Sequence, residues 1–247
     1  MAGPDPIFAH PRLADFYDEL DGDRRDLDAY VGIAAETGAR TVLDLGCGTG
    51  ELAMRLADRG IDVIGVDPAA ASLAVAQRKP GSAAVRWVHG DATALPPLDA
   101  DLAVLTGNAA QVFVDDRDFA AMLRGVRSAL APAGWLVFEV RDPDRRAWEA
   151  WTPERTRSVR IVAGEGAVES WCELRHVDGD ADDRAVTFRW HFRFKRDGAH
   201  LTSDSTLRFR PRAQIEAALA GAGFEVLDVR DAPDRPGLEL VFLARRA

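Results

Sequence analysis

The sequence predicts an α/β protein: a mostly parallel seven-stranded sheet flanked by helices, with an antiparallel β subdomain inserted late in the chain. Three observations predict it. Between Arg40 and about Arg141, short Val/Leu/Ile runs alternate with stretches of helical spacing. The runs are apolar on both faces, as strands buried inside a parallel sheet are. After about Thr156 the hydrophobic period switches to two, the mark of half-buried antiparallel strands.

In chain order, residues 1–35 are mixed polar and helical in character and are expected to form a helical cap outside the sheet. Residues 36–150 form the core. Its strands read "TVLDLG", "DVIGVD", "AVRWVHGD", "DLAVLTGN" and "GWLVFEVRD". Helical spacing runs from Glu51 to Arg59, stopped by Gly60, and from Ala69 to Lys79, stopped by Pro80 and Gly81. A third helix is expected over Asp116 to Ala131, with Phe119, Leu123, Val126 and Leu130 on one face. Residues 151–210 make the insertion, a cap over the site or a subunit interface. In "VTFRWHFRFKR", Phe188, Trp190, Phe192 and Phe194 share one face; Thr187, Arg189, His191, Arg193 and Lys195 share the other. "DGDADD" before it reads as an exposed loop and "RDGAH" after it as a hairpin turn. Residues 211–247 complete the core. Pro211 opens a helix, Gly223 closes it, and "FEVLDVRD" and "LELVFLARR" follow as strands.

Composition narrows the function. The net charge is −9 over 247 residues. Neutralising phosphates needs clustered cations, so nucleic acid is not expected as a partner. Two cysteines, Cys47 and Cys172, make neither a disulfide framework nor a zinc cluster. The first residues lack a basic head before an apolar stretch, so no signal peptide is expected. No apolar run reaches the roughly 18 residues of a membrane span. A cytoplasmic protein, monomer or homodimer, is the expectation. None of the five histidines forms a metal-spaced pair, so no metal is expected.

The chemistry concentrates in "VLDLGCGTGEL", where Gly46, Gly48 and Gly50 follow a strand and open a helix. A dinucleotide loop wants G-x-G-x-x-G, but Glu51 stands at the third glycine position. A pyrophosphate also wants no nearby anion, whereas Asp44 and Glu51 flank this loop. Those acids suit a cationic ligand instead. One glycine would serve a plain turn; three imply close backbone approach to a ligand. Asp67, ending the next strand, can accept from a ribose diol, a feature shared with other nucleotide-binding folds.

"VLDLGCGTG" closely resembles the first motif of class I S-adenosylmethionine-dependent methyltransferases, which are Rossmann-like. The resemblance extends from about residue 14 to the C-terminus and is most specific between 40 and 141. It implies S-adenosylmethionine as cofactor and S-adenosylhomocysteine as product. It implies that Gly46, Cys47, Gly48 and Thr49 wrap the methionine and ribose, with Asp44 supporting the amino group. Asp67 and Pro68 would follow at the ribose. Asp91 would accept from the adenine amino group, with Ala92 against the ring, and Thr106 and Gly107 would face the cofactor. Tyr17 and Arg25, from an N-terminal helix, would reach the methionine end.

For the acceptor, the candidates are Tyr30, Asn108, Gln111, Arg141, Trp148, Trp151 and His191. Trp148 and Trp151 wall a pocket or dock a linker helix. His191, Tyr17 and Glu139 are the candidate bases. The cofactor arrives activated, so alignment and exclusion of water carry much of the rate and no triad is required. The expectation is methyl transfer to a nitrogen or oxygen of a small molecule. A protein that binds the cofactor without transferring a methyl is the alternative, and a nicotinamide dehydrogenase is a remoter one.

Overall fold

The computed structural model describes residues 3–22, 24–92, 95, 96, 98–179 and 183–247. Four helices lead: α1 (Pro6–Ala9), α2 (Pro11–Ala14), α3 (Tyr17–Asp21) and α4 (Asp26–Glu36). Proline opens α1 and α2, where its fixed φ suits a helix start and its missing N–H costs nothing. The alternating core follows: β1 (Thr41–Leu45), α5 (Glu51–Ala57), β2 (Asp62–Asp67), α6 (Ala70–Arg78), β3 (Val85–His89), β4 (Ala100–Leu105), α7 (Asp116–Ala129) and β5 (Leu130–Arg141). After α8 (Pro153–Thr156) come β6 (Ser158–Val162), β7 (Gly166–Gly179), β8 (Arg184–Phe194) and β9 (His200–Phe209). The chain closes with α9 (Arg212–Gly221), β10 (Phe224–Asp231) and β11 (Glu239–Arg246). Residues 180–182 of the expected "DGDADD" loop lie outside the described residues.

Among the described residues, seven strands form one sheet in the order β10-β11-β5-β4-β1-β2-β3. All run parallel except β11, which is antiparallel to both β5 and β10. The expected mostly parallel seven-stranded sheet is therefore the one observed. Alternate residues of each strand serve two cores. Leu43, Leu105, Phe138 and Phe242 pack with Phe119, Met122 and Leu123 of α7 and with Ile215 and Leu219 of α9. Val42, Val104, Val137 and Val241 pack with Leu27 and Ile33 of α4 and with Leu52 and Leu56 of α5. Helix α7 begins at an Asp115 cap that accepts from the Arg117 N–H. It ends at Ala129, short of the expected 131, because Leu130 already enters β5.

Strands β6-β7-β8-β9 form a separate antiparallel sheet. Its two faces divide as the period of two predicts. Phe192 and Phe194 are buried against Leu13 and Phe16, with Phe16 edge-on to Phe194 at 5.6 Å. Burying side chains of this size contributes roughly 1.5–3 kcal/mol each, which anchors the N-terminal helices to this sheet. Further along the same face, Val186 and Phe209 receive Trp148, 4.6 Å edge-on to Phe209. The opposite face carries Trp171, with His191 stacked on it at 4.7 Å.

Candidate active site

The sheet order reverses between β1 and β4. From β1 the chain winds outward to β2 and β3, then returns to β4 and winds the other way. Two loops leave the carboxyl ends of adjacent strands there, the crevice position at which sheets of this topology bind ligands. A Cβ on Gly46 would meet Ala109 Cβ at 3.3 Å, so the loops after β1 and β4 touch.

Gly46, Gly48 and Gly50 all adopt positive φ, at 75°, 54° and 84°. Each conformation is costly for an L side chain. Their surroundings differ. A Cβ on Gly50 would run into Trp87 at 2.5 Å and Ala76 at 3.1 Å, so this glycine lets α5 pack on β3 and α6. A Cβ on Gly48 would meet no protein atom within 4 Å. One glycine therefore serves packing, while Gly48 lies on the open side of the loop.

Asp44 is 1% exposed, and neither carboxylate oxygen has a hydrogen-bond partner among the described residues. Burial pushes its carboxyl up to about 7, and the nearby Asp67 adds to the effect; the Ala53 amide and Arg24 pull the other way. Asp67 is also raised, chiefly by burial. Its oxygens accept from the N–H groups of Gly48 at 2.8 Å and Ala69 at 2.7 Å. Each oxygen keeps a second lone pair. His89 contacts the Pro68 carbonyl at 3.0 Å, joining the ends of β2 and β3. Asp91 and Ala92 follow β3, with Ala92 buried. Cys47 is buried, and burial raises its thiol well above the usual range.

The N-terminal helices are pinned to this loop. Thr49 donates to Asp18 at 2.5 Å, and Lys79 pairs with both Asp18 at 2.6 Å and Glu51 at 2.5 Å. Glu51 was expected to add negative charge beside the loop. It pairs with Lys79, which it shares with Asp18, so Glu51 is not a free anion, and Asp44 is the more deeply buried acid beside the loop. Tyr17 stands in α3 against Phe8, ring centroids 5.4 Å apart. Arg25 caps α4. The neighbouring Arg24 is the cation whose charge reaches Asp44; it is held by Asp26 at 2.9 and 3.0 Å.

At the end of β4, Gly107 and Asn108 have left-handed φ of 66° and 61°. Glu139 holds this turn: one oxygen accepts from the N–H groups of Gly107 at 2.7 Å and Asn108 at 3.2 Å, the other from the Tyr30 hydroxyl. Burial raises the Glu139 carboxyl and, more strongly, the Tyr30 phenol. Asn108 donates to Glu239 at 3.0 Å. Gln111 donates to the Arg208 carbonyl at 3.1 Å and accepts from the Arg141 N–H at 3.1 Å. Thr106 closes the turn through its carbonyl, which accepts from Ala109.

The acceptor candidates thus separate. Tyr30, Asn108 and Gln111, expected at the acceptor, are at most 3% exposed, and their side chains make these internal bonds, although Asn108 Oδ1 finds no partner among the described residues. Trp148 is a core side chain at 2% exposure. His191 lies on the outer face of the second sheet, bonded to Glu173 and His200 at 3.1 Å each, away from the crevice. Glu139, expected as a base, has its oxygens occupied. Arg141 and Trp151 remain beside the crevice, with the guanidinium 5.5 Å from the indole centroid. Arg141 is close enough to Tyr17 to feel its phenol. Asp18, Lys79, Arg24 and Glu239 were not picked out in the sequence; isolated charges on helices and loops carry no spacing signal.

Comparison with known proteins agrees with this architecture. Residues 42–134 match the family described as Methyltransferase domain. A demethylmenaquinone methyltransferase of Thermus thermophilus is 37% identical over 130 residues, 51% of this chain and 56% of that protein. The CcbJ methyltransferase of Streptomyces caelestis superposes with a TM-score of 0.76 at 23% identity, covering 95% of this chain and 96% of that one. The sugar N-methyltransferase KedS8 of Streptoalloteichus sp ATCC 53650 gives 0.70 at 24%, covering 94% and 91%. The resemblance read from "VLDLGCGTG" holds. Residues 42–134 are similar to the Methyltransferase domain family, and the overall fold is shared with solved methyltransferases. The chain spans about half the length of the curated relatives it matches.

The residues present fit the cofactor of that family. An uncompensated buried carboxylate calls for a cation or a donor, and S-adenosylmethionine carries an ammonium. The free lone pairs of Asp67 suit a diol. The open side of Gly48 admits close approach to backbone. Among the described residues, no group of three or more His, Cys, Asp or Glu side chains is arranged to hold a metal.

Proposed function

We propose that the protein transfers the methyl group of S-adenosylmethionine to a nitrogen or oxygen of a small molecule. The observation that carries the reading is Asp44: a carboxylate with no partner, 1% exposed, at the mouth of a three-glycine loop. Such a group destabilises the folded chain unless a ligand compensates it.

In this reading Asp44 holds the ammonium and Asp67 accepts from the ribose hydroxyls. Gly46, Cys47, Gly48 and Thr49 supply the close backbone wall. Asp91 and Ala92 border the adenine, and Thr106 and Gly107 the opposite side. Glu139 and Tyr30 act at one remove, fixing the Gly107–Asn108 turn. Tyr17 and the helices pinned through Asp18 exclude water from above. When bound, the cofactor supplies an activated methyl on a sulfonium. The protein's task is then to align the acceptor in line and keep the site dry.

An amine acceptor, which attacks as the free base without a proton acceptor in the transition state, is the simpler case, and among the three candidate bases only Tyr17 stays beside the site. The sugar N-methyltransferase KedS8, similar in fold, supports that case by analogy. The test is calorimetry with S-adenosylmethionine, S-adenosylhomocysteine and NAD, followed by radiolabelled methyl transfer to a metabolite pool. Binding of both sulfur ligands and label in an amine product is expected. Tight NAD binding with neither sulfur ligand bound would overturn the reading; binding without transfer to any acceptor would favour a non-catalytic role.

A further inference from the structure

Arg141 is the one acceptor candidate whose donors the structure leaves unspent. Its backbone N–H is fixed by Gln111 at 3.1 Å, so the side chain departs from a rigid point at the end of β5. The nearest carboxylate oxygen is Glu239 Oε1, 3.9 Å from Nε, beyond hydrogen-bond distance. That oxygen already accepts from Arg235 at 2.6 Å and Asn108 at 3.0 Å. The Arg141 side chain is only 23% exposed, and burial lowers its affinity for its proton. Its planar fork of five N–H donors therefore has no acceptor of normal geometry among the described residues.

The surroundings specify what would fill that need. Trp151 lies beneath the guanidinium, and Phe188 packs edge-on to Trp151 at 4.5 Å. One wall is thus aromatic and the other cationic. The cofactor's amino-acid end has its own cation in Arg24, beside Asp44. Arg141 belongs instead to the boundary between β5 and the inserted sheet.

We propose that Arg141 is the anion-recognition point of the acceptor site. The acceptor then carries a carboxylate or phosphate on an aromatic or otherwise apolar body laid against Trp151. Arginine suits either group because its fork matches both in bidentate fashion. The proposal rests on the methyltransferase reading for the word acceptor; the anion site itself does not.

Benzoate and phenyl phosphate serve as probes, with benzylamine as the cationic control, titrated by calorimetry into protein saturated with S-adenosylhomocysteine. At least one anion is expected to bind, benzylamine not, and Arg141→Gln to weaken the anion at least tenfold. Arg212→Gln, at an exposed cation of α9, is expected to change nothing. The stronger of the two anions identifies the group. On the native protein, phenylglyoxal modification of Arg141, mapped by peptide mass, should be blocked by the same anion; this arm holds even if Arg141→Gln fails to fold. Three results would overturn the proposal: neither anion binds, modification of Arg141 is indifferent to them, or S-adenosylhomocysteine displaces them competitively. If S-adenosylhomocysteine does not bind but an Arg141-dependent anion does, the methyltransferase reading fails and the anion site stands.

Discussion

Replacing Asp44 with Asn should stabilise the ligand-free protein and abolish cofactor binding. The carboxyl has a usual value of 3.8 and is pushed to about 7 in the fold, first by burial and then by Asp67. Because the folded value is raised, the stability linked to its proton is fully present below 3.8. It is lost as pH rises through about 7. At about 1.4 kcal/mol per pH unit, ionising Asp44 costs the folded chain on the order of 4 kcal/mol by pH 8. The Asn amide is also buried without partners and returns about 1–3 kcal/mol of that. A net gain of roughly 1–3 kcal/mol at pH 8 follows, which is several degrees of melting temperature for a chain of this size. The assay is thermal melting of both proteins between pH 5 and 8.5, with and without S-adenosylhomocysteine. Wild type should lose stability relative to Asp44→Asn as pH rises, and only wild type should be stabilised by ligand. Affinity in wild type should also fall toward tenfold per pH unit below about 7, because the cation selects the ionised carboxylate. A variant less stable than wild type at pH 8, with parallel pH curves, would refute the reasoning.

Gly48→Ala and Gly50→Ala should separate binding from packing. The first is expected to cost about 1 kcal/mol in stability from its left-handed φ and to weaken S-adenosylhomocysteine binding strongly by calorimetry. The second meets Trp87 and Ala76 and should cost several kcal/mol, read from denaturant midpoints, before binding can be assessed. Glu139→Ala leaves two backbone N–H groups and the Tyr30 hydroxyl without an acceptor. A loss of about 2–4 kcal/mol is expected, with Glu139→Gln milder in the same unfolding experiment. Asp18→Ala frees Thr49 and half of the Lys79 bridge; at this exposure the stability change stays within about 1 kcal/mol. Limited proteolysis should nevertheless cut the N-terminal helices faster, and ligand should no longer protect them fully.

Much of this was legible in the sequence where local pattern and topology coincide. Alternation gave the parallel strands, and a period of two gave the inserted sheet with its aromatic inner face. The glycines after β1 and the acids Asp44, Asp67 and Asp91 stand at successive strand ends because such folds present their ligands there. The misplacements share one physical cause. Asn108 and Gln111 follow a strand end and Tyr30 stands within α4, and for none of these polar side chains does the sequence say whether a partner arrives from the chain itself. It does: Glu139 reaches Tyr30 across 109 positions and Glu239 reaches Asn108 across 131. Glu51 failed as a free anion for the same reason, through Lys79. For Asp44 no hydrogen-bonding partner comes from the described residues, so it keeps the role of candidate ligand group that the sequence suggests.

That contrast bears on how such a site functions. Along the carboxyl edge of the sheet, the acids near the crevice fall into two groups. Glu139 and Glu239 are answered by Tyr30, Asn108 and Arg235, with distances fixed by the fold. They hold the turn after β4 and are indifferent to ligand. Asp44 is unanswered, and Asp67 is answered by backbone amides alone. Among the described residues, the resting protein therefore carries the cost of an unpartnered buried carboxylate at Asp44, beside a loop in which a Cβ at Gly48 would meet only open space. A ligand that brings a cation relieves that cost, whereas an anionic one raises it. In the proposed reading, a preference for a sulfonium and ammonium over a pyrophosphate would follow from where the fold withholds partners, and the spacing of the third glycine only permits it.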